Sequence, residues 1–468
     1  MERIFTLAFL LFVCEIAIVP PAAAEQKPNV LFITIDDLND WVGCLGGHPQ
    51  ARTPNLDALA ERGVLFTNAH CNGPICGPSR TSLMTGLRPS TTGIYTNSDV
   101  KGFPIDAVTL PKHFEANGYS TLSCGKIFHG PSGKGQFQIA GPALGQGPLP
   151  KERFEVTDEA SRTKLWDWGE YPPTNEEAHD FISATWAAER LAEDHEKPLF
   201  LGVGFYRPHV PCYAPPEWFE NYPLDEIQLP RRMENDLGDV PAKAIEAMEH
   251  QSVAPPHRWF VENDKWKSAV RAYLASVEFM DHCLGKVVAG LDSGPQAENT
   301  WIFLTGDHGW HLGEKEHWAK RTLWERSTRV PMIVVPPRGL EGWSRGEVCE
   351  PPVEMLSFYP TLIEVCGLTK NEAIEGRSIQ QLLADPASDW EFPAITTHLR
   401  GDHAVRSRHW RYIRYSDGSE ELYDHREDPD EFRNLAEDPE FVDVIADHQR
   451  WLPETNAPEA SAGRKKKN

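Results

Sequence analysis

The sequence NVLFITI at residues 29–35, followed directly by Asp36 and Asp37, is the strongest indication of the fold class. An uncharged stretch rich in β-branched residues is typical of a strand that is buried on both faces of a sheet. Helix patterns at 53–63, 109–118 and 265–291 alternate along the chain with further strand patterns at 64–67, 199–205 and 301–305. This alternation predicts an α/β fold with a mainly parallel sheet that is covered by helices on both sides.

A second acidic segment follows the strand pattern at 301–305, where Asp307 and His308 come after one glycine. Ligands of open α/β sheets bind beyond the carboxyl ends of the strands. We therefore expect Asp36, Asp37, Asp307 and His308 to lie at one edge of the sheet. Three ionised carboxylates in one place need a cation, and oxygen ligands suit Ca²⁺ or Mg²⁺. For either pair alone, aspartates that cap unrelated loops are the more ordinary explanation.

The segment CGPSRTSLMTG, from Cys76 to Gly86, adds a candidate nucleophile. Pro78 suits the first turn of a helix and Gly86 its end, so Cys76 is expected at a helix N-terminus, where an anion is stabilised. Reactive thiols occur in such places, which makes a thiol nucleophile one interpretation. Nearby aspartates, however, are expected to raise the pKa of the thiol, and this suggests that Cys76 does not act as a thiol.

The same segment matches in full the signature C-x-P-S-R-x-x-x-x-T-G, and the chain resembles the type I sulfatases, most of all the iduronate-2-sulfatases among them. Similar segments are LFITIDDL (31–38), SCGKIFH (123–129), GVGFYRPHVP (202–211), GDHGWHLG (306–313) and ELYDHREDPDEFRNL (421–435). The resemblance implies an alkaline-phosphatase-like fold and hydrolysis of a sulfated carbohydrate in polysaccharide degradation. It also implies a nucleophile, formylglycine, that a maturation enzyme makes by oxidising Cys76.

The resemblance further implies a metal site with calcium as the ion. The ligands would be Asp36, Asp37, Asp307 and His308, together with the formylglycine made from Cys76. His308 stands where many sulfatases have asparagine, a pattern similar to that of the iduronate-2-sulfatases.

Five more residues match family motifs in order and local context. By resemblance, Arg80 would hold an oxygen of the hydrated formylglycine, and Lys126 with His129 would bind and deprotonate it. His209 and Lys320 would bind sulfate and assist departure of the alcohol. Taken singly, Lys126, His129, His209 and Lys320 have ordinary explanations as solvated or loop residues. Lys320, for example, could pair with Glu325.

The ends of the chain predict its location. Residues 1–24 combine a basic start, an apolar run and an Ala-x-Ala ending, which is typical of a signal peptide, although a buried N-terminal helix is an alternative. We therefore expect a periplasmic or secreted protein without stable membrane insertion. The net charge of −23 argues against a nucleic-acid partner. Residues 457–468 end in a basic run and are expected to be a disordered tail.

The domain prediction divides the mature chain into a catalytic domain at 25–390 and a small C-terminal α+β subdomain at 391–456 with an antiparallel sheet. Two alternative functions stay open. One is a phosphodiesterase or phosphonate hydrolase of the same superfold, since fold does not fix chemistry. The other is an inactive carbohydrate-binding protein, which would keep Cys76 as a thiol.

Overall fold

The computed structural model describes residues 27–460, except for 104–106, 158–159, 162, 164 and 251–253. The predicted signal peptide and residues 461–468 of the predicted tail lie outside the described residues. Among the helices of the described part, none is long and apolar enough to cross a membrane. The eight cysteines of that part are all free.

Eighteen strands are present in the described ranges. They are β1 (Asn29–Ile35), β2 (Val64–Phe66), β3 (Ala69–His70), β4 (Ser120–Gly125), β5 (Ile139–Ala140), β6 (Trp168–Glu170), β7 (Leu199–Phe205), β8 (Cys212–Ala214), β9 (Thr300–Gly306), β10 (His311–Leu312), β11 (Trp318–Ala319), β12 (Met332–Val335), β13 (Glu347–Cys349), β14 (Val353–Glu354), β15 (Ala394–Thr397), β16 (His403–Arg406), β17 (Trp410–Arg414) and β18 (Glu420–Asp424).

Thirteen α-helices accompany them within the same ranges. They are α1 (Pro54–Arg62), α2 (Cys76–Thr85), α3 (Pro89–Thr92), α4 (Leu110–Ala116), α5 (His179–Leu191), α6 (Pro216–Glu220), α7 (Ala242–Glu249), α8 (His257–Glu262), α9 (Trp266–Ser293), α10 (Glu325–Thr328), α11 (Phe358–Val365), α12 (Gln380–Ala384) and α13 (Val442–Gln449).

The main sheet has eight strands in the order β13-β2-β12-β9-β1-β7-β4-β5. All neighbouring pairs are parallel except the two that β12 forms with β2 and β9. The predicted α/β class with a mainly parallel sheet is therefore confirmed. The antiparallel β12 has no counterpart in the sequence analysis, because a four-residue apolar segment between loops gives too short a pattern to assign.

Strand β1 lies in the middle of this sheet, between β9 and β7. Its side chains alternate between two cores, as the two-residue period of a strand requires. Leu31, Ile33 and Ile35 pack with α1, α5 and α9, whereas Val30 and Phe32 pack with α2, α4 and α11. The prediction that NVLFITI is buried on both faces is thus confirmed, and each such side chain stabilises the fold by about 1.5–3 kcal/mol.

The C-terminal sheet is antiparallel, with the order β15-β16-β17-β18. One face packs on α13, through Val405, Tyr412 and Leu422. The other face packs on the segment before α10, where Trp324 donates a hydrogen bond from its indole nitrogen to Glu421, 2.8 Å away. This sheet therefore rests on the loop that follows β11.

Residues 457–460 differ from the expectation of a disordered tail. The backbone N–H of Ala457 donates to the carbonyl of Ser90 at 2.7 Å, and that of Ala460 donates to the carbonyl of Gly93 at 2.9 Å. The hydroxyl of Tyr95 donates to the carbonyl of Ala457 at 2.7 Å. This part of the chain is thus attached to the segment that follows α3.

Candidate active site

Two neighbouring strands place the acidic residues at one edge of the main sheet. The register pairs Ile35 of β1 with Gly306 of β9, so Asp36 and Asp307 leave the sheet side by side. The backbone N–H of Asp37 donates to Oδ1 of Asp307 at 3.0 Å. All three carboxylates are fully buried. Asp36, Asp37 and Asp307 therefore lie together at the carboxyl ends of the strands, as the sequence predicts.

Asp37 adopts a left-handed backbone conformation, with φ at +61°. Aspartate tolerates this region better than most residues. The Tyr273 hydroxyl of α9 fixes the turn, because it donates to the carbonyl of Asp37 at 2.8 Å and accepts from the backbone N–H of Asn39 at 3.0 Å. The helix pattern at 265–291 does not indicate this contact, because Asp37 and Asn39 are far from Tyr273 in the sequence.

Helix α2 begins at Cys76 and ends at Thr85, and it is followed by Gly86, whose φ of +71° is the left-handed C-cap conformation expected of glycine. Every residue of α2 is buried. Arg80 lies one turn after Cys76, and its Nε donates to Oδ2 of Asp307 at 2.8 Å. Its Nη2 donates to Oδ1 of Asp36 at 3.3 Å, and its Nη1 donates to the hydroxyl of Thr34 and to the carbonyl of Lys126. The guanidinium therefore joins the two acidic strand ends.

Two lysines complete the charge balance of the site. Lys126 follows β4, and its Nζ donates to Oδ2 of Asp36. Lys320 follows β11, and its Nζ donates to Oδ1 of Asp37 at 2.6 Å and to Sγ of Cys76 at 3.0 Å. With Arg80, the three cations match the three carboxylates.

The loop that carries Lys320 is fixed from several sides. His317 lies with Nε2 at 2.8 Å from the carbonyl of Lys320, and the ammonium lies 5.3 Å from the centre of the buried Trp310 ring. The alternative that Lys320 pairs with Glu325 is wrong. Glu325 instead accepts hydrogen bonds from Arg406 and Arg411 of the C-terminal sheet.

His308 faces the acidic residues with one ring nitrogen. Its Nε2 lies 3.3 Å from Sγ of Cys76, 3.4 Å from Oδ1 of Asp37 and 3.5 Å from Oδ1 of Asp307. Its Nδ1 lies 3.0 Å from the carbonyl of Gly309. A ring nitrogen held by a carbonyl leaves the other one available as a metal ligand. Burial acts to lower the pKa of His308, but Asp307 and Cys76 together raise it above the usual value.

His129 and His209 form the partly exposed border of the site. His129 helps to lower the pKa of Cys76, and its Nδ1 is buried with no hydrogen-bond partner in the described part of the chain. Nε2 of His209 lies 4.0 Å from Oδ2 of Asp36 and 3.8 Å from Oδ2 of Asp37. Both imidazoles are placed where an incoming group would meet them.

The electrostatics of the thiol correct one expectation. Burial tends to raise the pKa of Cys76, but Lys126, Lys320 and His308 lower it well below its usual range. The expectation that the aspartates raise this pKa was wrong, because each acid is paired with a cation and one ammonium contacts the sulfur directly. The thiol pKa therefore gives no argument against thiol chemistry, and the interpretation as formylglycine depends on the signature.

The two acids on neighbouring strands are held in opposite states. Burial raises the pKa of Asp307 to about 7, although Arg80 acts to lower it. Burial and Cys76 also act to raise the pKa of Asp36, but Lys126, His209 and Arg80 outweigh them and lower it. Of Asp36 and Asp307, Asp307 is thus the acid whose negative charge the surrounding cations compensate less.

The residues of this edge fit a hard divalent cation. Ligand atoms of Asp36, Cys76, Asp307 and His308 all lie within 4.8 Å of one another. Calcium–oxygen bonds are about 2.3–2.6 Å long, so two ligands on opposite sides of one ion stand about 5 Å apart. Oδ2 of Asp37 is buried with no hydrogen-bond partner among the described residues, which is a costly state for a carboxylate oxygen. That Asp36, Asp37, Asp307, His308 and the group at position 76 are metal ligands remains a prediction.

Comparisons with known proteins agree with this arrangement. A family model described as "Sulfatase" matches residues 28–368, and one described as "N-sulphoglucosamine sulphohydrolase, C-terminal" matches 313–457. The chain is 40% identical over 449 residues to a protein named "Sulfatase" from Formosa agariphila, with 92% of this chain and 87% of the relative covered. It is 32% identical to the human iduronate 2-sulfatase, with 73% of this chain and 69% of the relative covered.

Among solved structures, a phosphonate monoester hydrolase from Silicibacter pomeroyi superimposes with a TM-score of 0.73. The two chains are 23% identical, and the match covers 91% of this chain and 94% of the other. At this identity the likeness shows the fold alone.

Proposed function

The chain belongs to the sulfatase family, and from this premise we propose that it hydrolyses O-sulfate esters of a carbohydrate through formylglycine at position 76 and one calcium ion. The observation that carries the proposal is the position of Cys76. Its Sγ lies against His308 and Lys320, at the edge where Asp36 and Asp307 meet. No ordinary structural role calls for a buried cysteine among three acids and three cations.

Formylglycine and calcium would supply the reactive oxygen and its activation. Formylglycine, if formed from Cys76, would supply a hydrated aldehyde whose two hydroxyl groups suit transfer of the sulfuryl group and later release of sulfate. Calcium, held by Asp36, Asp37, Asp307 and His308, would acidify an oxygen ligand and offset negative charge on the sulfuryl group.

The chain's own residues would bind the ester and move protons. Lys320 is already 3.0 Å from Sγ of Cys76 and would bind a sulfate oxygen, as would His209 on the border. His129, whose buried Nδ1 has no partner among the described residues and whose presence lowers the pKa of Cys76, would take a proton from the group at position 76. Lys126 and Lys320 form ion pairs with Asp36 and Asp37, so both ammonium groups lie beside the position at which the sulfuryl group would be bound.

The substrate class is proposed from the relatives and from the charge of the site. A relative named iduronate 2-sulfatase makes a uronic acid 2-O-sulfate in a polysaccharide fragment the leading candidate. The cations of the site give an acidic protein a local attraction for sulfate. The proposal also includes export to the periplasm or outside the cell, and a formylglycine-generating maturation enzyme as a partner.

A phosphonate or phosphate ester hydrolase is the second candidate, favoured by the similar fold of the phosphonate monoester hydrolase. The test compares kcat/KM of the matured enzyme for aryl sulfates, aryl phosphate diesters and phosphonate monoesters, with Cys76→Ala as the inactive control. The proposal expects the sulfate to be the best substrate. A preference for the phosphorus esters would favour the second candidate, and no turnover of any ester would favour an inactive carbohydrate-binding protein.

A further inference from the structure

Arg321 directly follows Lys320 and lies beside the segment that leads to Cys76. Its backbone N–H donates to the carbonyl of Pro74 at 3.1 Å, in a left-handed conformation with φ at +83°. The side chain is only partly exposed, and its Nη1 is buried with no hydrogen-bond acceptor in the described ranges. No carboxylate of those ranges forms an ion pair with it.

Arg321 lies next to the site in the chain, because the Nζ of the preceding Lys320 is 3.0 Å from Sγ of Cys76 and the backbone N–H of Arg321 donates to Pro74, two residues before Cys76. Burial lowers the pKa of Arg321, while Cys76 and Asp37 act to raise it. Arginine keeps its charge in proteins, so the group remains cationic despite its burial. A largely buried cation without a paired anion is costly, and binding of an anion would remove that cost.

His398 provides a second unpartnered group near the same segment. It is 1% exposed, and neither Nδ1 nor Nε2 has a hydrogen-bond partner in the part of the chain that the structure describes. It directly follows β15, where the backbone N–H of Thr397 donates to the carbonyl of Asn72 at 3.0 Å. His398 and Arg321 thus flank the loop from Asn72 to Pro74.

The protonation state of His398 suits a hydrogen-bond donor. Burial lowers its pKa to about 3, and Arg321 is the next largest cause. The neutral imidazole carries one N–H, which can donate to an anion without adding a second buried charge.

We propose that Arg321, with His398 as a neighbouring donor, binds a second anionic substituent of the substrate, a carboxylate or a further sulfate on the same sugar. This inference rests on the proposed function, because Lys320 and His209 are assigned there to the sulfate that is cleaved. A guanidinium can hold either anion through two parallel hydrogen bonds. The site would then select sugars that carry two negative groups.

The experiment measures kcat and KM for two matched substrate pairs. The first pair is a 2-O-sulfated uronate disaccharide and its carboxyl methyl ester, and the second is a disulfated and a monosulfated glucosamine. Nitrophenyl sulfate reports whether the chemical step survives. The variants are Arg321→Gln, Arg321→Lys and His398→Gln, each compared by thermal unfolding with the wild type.

Arg338→Gln is the matched control. Arg338 follows β12, and its Nη2 lies 2.6 Å from Oδ1 of Asp292. The backbone N–H of Gly339 donates a hydrogen bond to the carbonyl of Glu298, which precedes β9. Since Asp307 follows the other end of β9, the control lies at the opposite edge of the sheet. It should leave the discrimination within each pair as in the wild type.

We expect the wild type to prefer the doubly charged member of at least one pair, and the preferred pair identifies the anion. Arg321→Gln should lower kcat/KM for that member about 10- to 100-fold, mainly through KM, and bring the ratio within the pair near one. Arg321→Lys should keep part of the preference, and His398→Gln should reduce it less.

Equal treatment of both members of each pair by the wild type would overturn the inference, as would an equal loss on all substrates in Arg321→Gln. Either result leaves the proposed function intact as long as the sulfates are hydrolysed. Absence of sulfate hydrolysis in the matured wild type would instead overturn the proposed function.

Discussion

Replacing Arg80 with methionine tests whether the buried cation holds the acidic residues in place. Methionine keeps most of the length of the side chain and removes the charge. The change deletes the ion pairs with Asp307 at 2.8 Å and with Asp36 at 3.3 Å, both in a fully buried setting. In the absence of calcium, the two carboxylates would keep only their remaining partners.

The expected cost follows from the burial of both partners. Removing one member of a buried ion pair destabilises a protein by about 3–5 kcal/mol, because the other charge stays buried without compensation. An exposed pair supplies the comparison, since Arg62 and Asp292 lie 3.1 Å apart with 28% and 33% of their side chains exposed. Surface pairs of this kind contribute at most about 1 kcal/mol.

The assay is urea unfolding followed by tryptophan fluorescence, with EDTA present, for the wild type, Arg80→Met and Arg62→Met. The 15 tryptophans give a strong signal. We expect Arg80→Met to lose about 3–5 kcal/mol and Arg62→Met less than about 1 kcal/mol. Because the pKa of Asp307 is about 7, the loss in Arg80→Met should be larger at pH 8 than at pH 6, where this acid can protonate. Similar losses in the two variants would refute the reasoning.

Three further predictions concern the cation, the chemistry and acid stability. Calcium at about 1,000 times its Kd should stabilise the wild type by about 4 kcal/mol, measured as a rise in Tm. The variant Asp37→Asn should lose most of this rise, whereas the control Asp292→Asn, at a partly exposed position, should keep it. An unchanged rise in Asp37→Asn would contradict the ligand assignment. Lys320→Met should lower kcat/KM for an aryl sulfate at least about 100-fold, and a loss below about threefold would contradict its role. Burial lowers the pKa of His403 to about 4 from 6.5, so its contribution to stability is lost as pH falls through that window, by about 3 kcal/mol. His403→Gln should therefore show a shallower decline of the unfolding free energy between pH 6.5 and 4, and an equally steep decline would refute this assignment.

Much of the fold could be predicted from local sequence because its signals are strong and continuous. NVLFITI predicts β1, and the apolar stripe at 265–291 predicts the long α9, which the structure places at Trp266–Ser293. Strand β12 was not predicted, because its four apolar residues are too few to show the alternation of a strand. The contacts of residues 457–460 were not predicted, because they involve the segment around the end of α3, which is far away in the sequence.

The candidate site was predictable in membership and less so in its contacts. The rule for strand ends brings Asp36 and Asp307 together, and a family signature supplies Cys76 and Arg80. No local pattern shows that Lys126 pairs with Asp36 or that Lys320 contacts the sulfur, since these partners are far apart in sequence. The wrong expectation for the thiol pKa came from counting the acids without the cations beside them.

The central claim is that position 76 acts as formylglycine, and mass spectrometry of the peptide that carries it tests this most directly. The protein is taken from its natural host, and Cys76→Ala marks the peptide. Oxidation of the thiol to the aldehyde lowers the residue mass by about 18 Da, which follows from replacing CH₂SH by CHO. The account predicts this loss in the active protein. An unmodified Cys76 in protein that hydrolyses sulfate esters would contradict it.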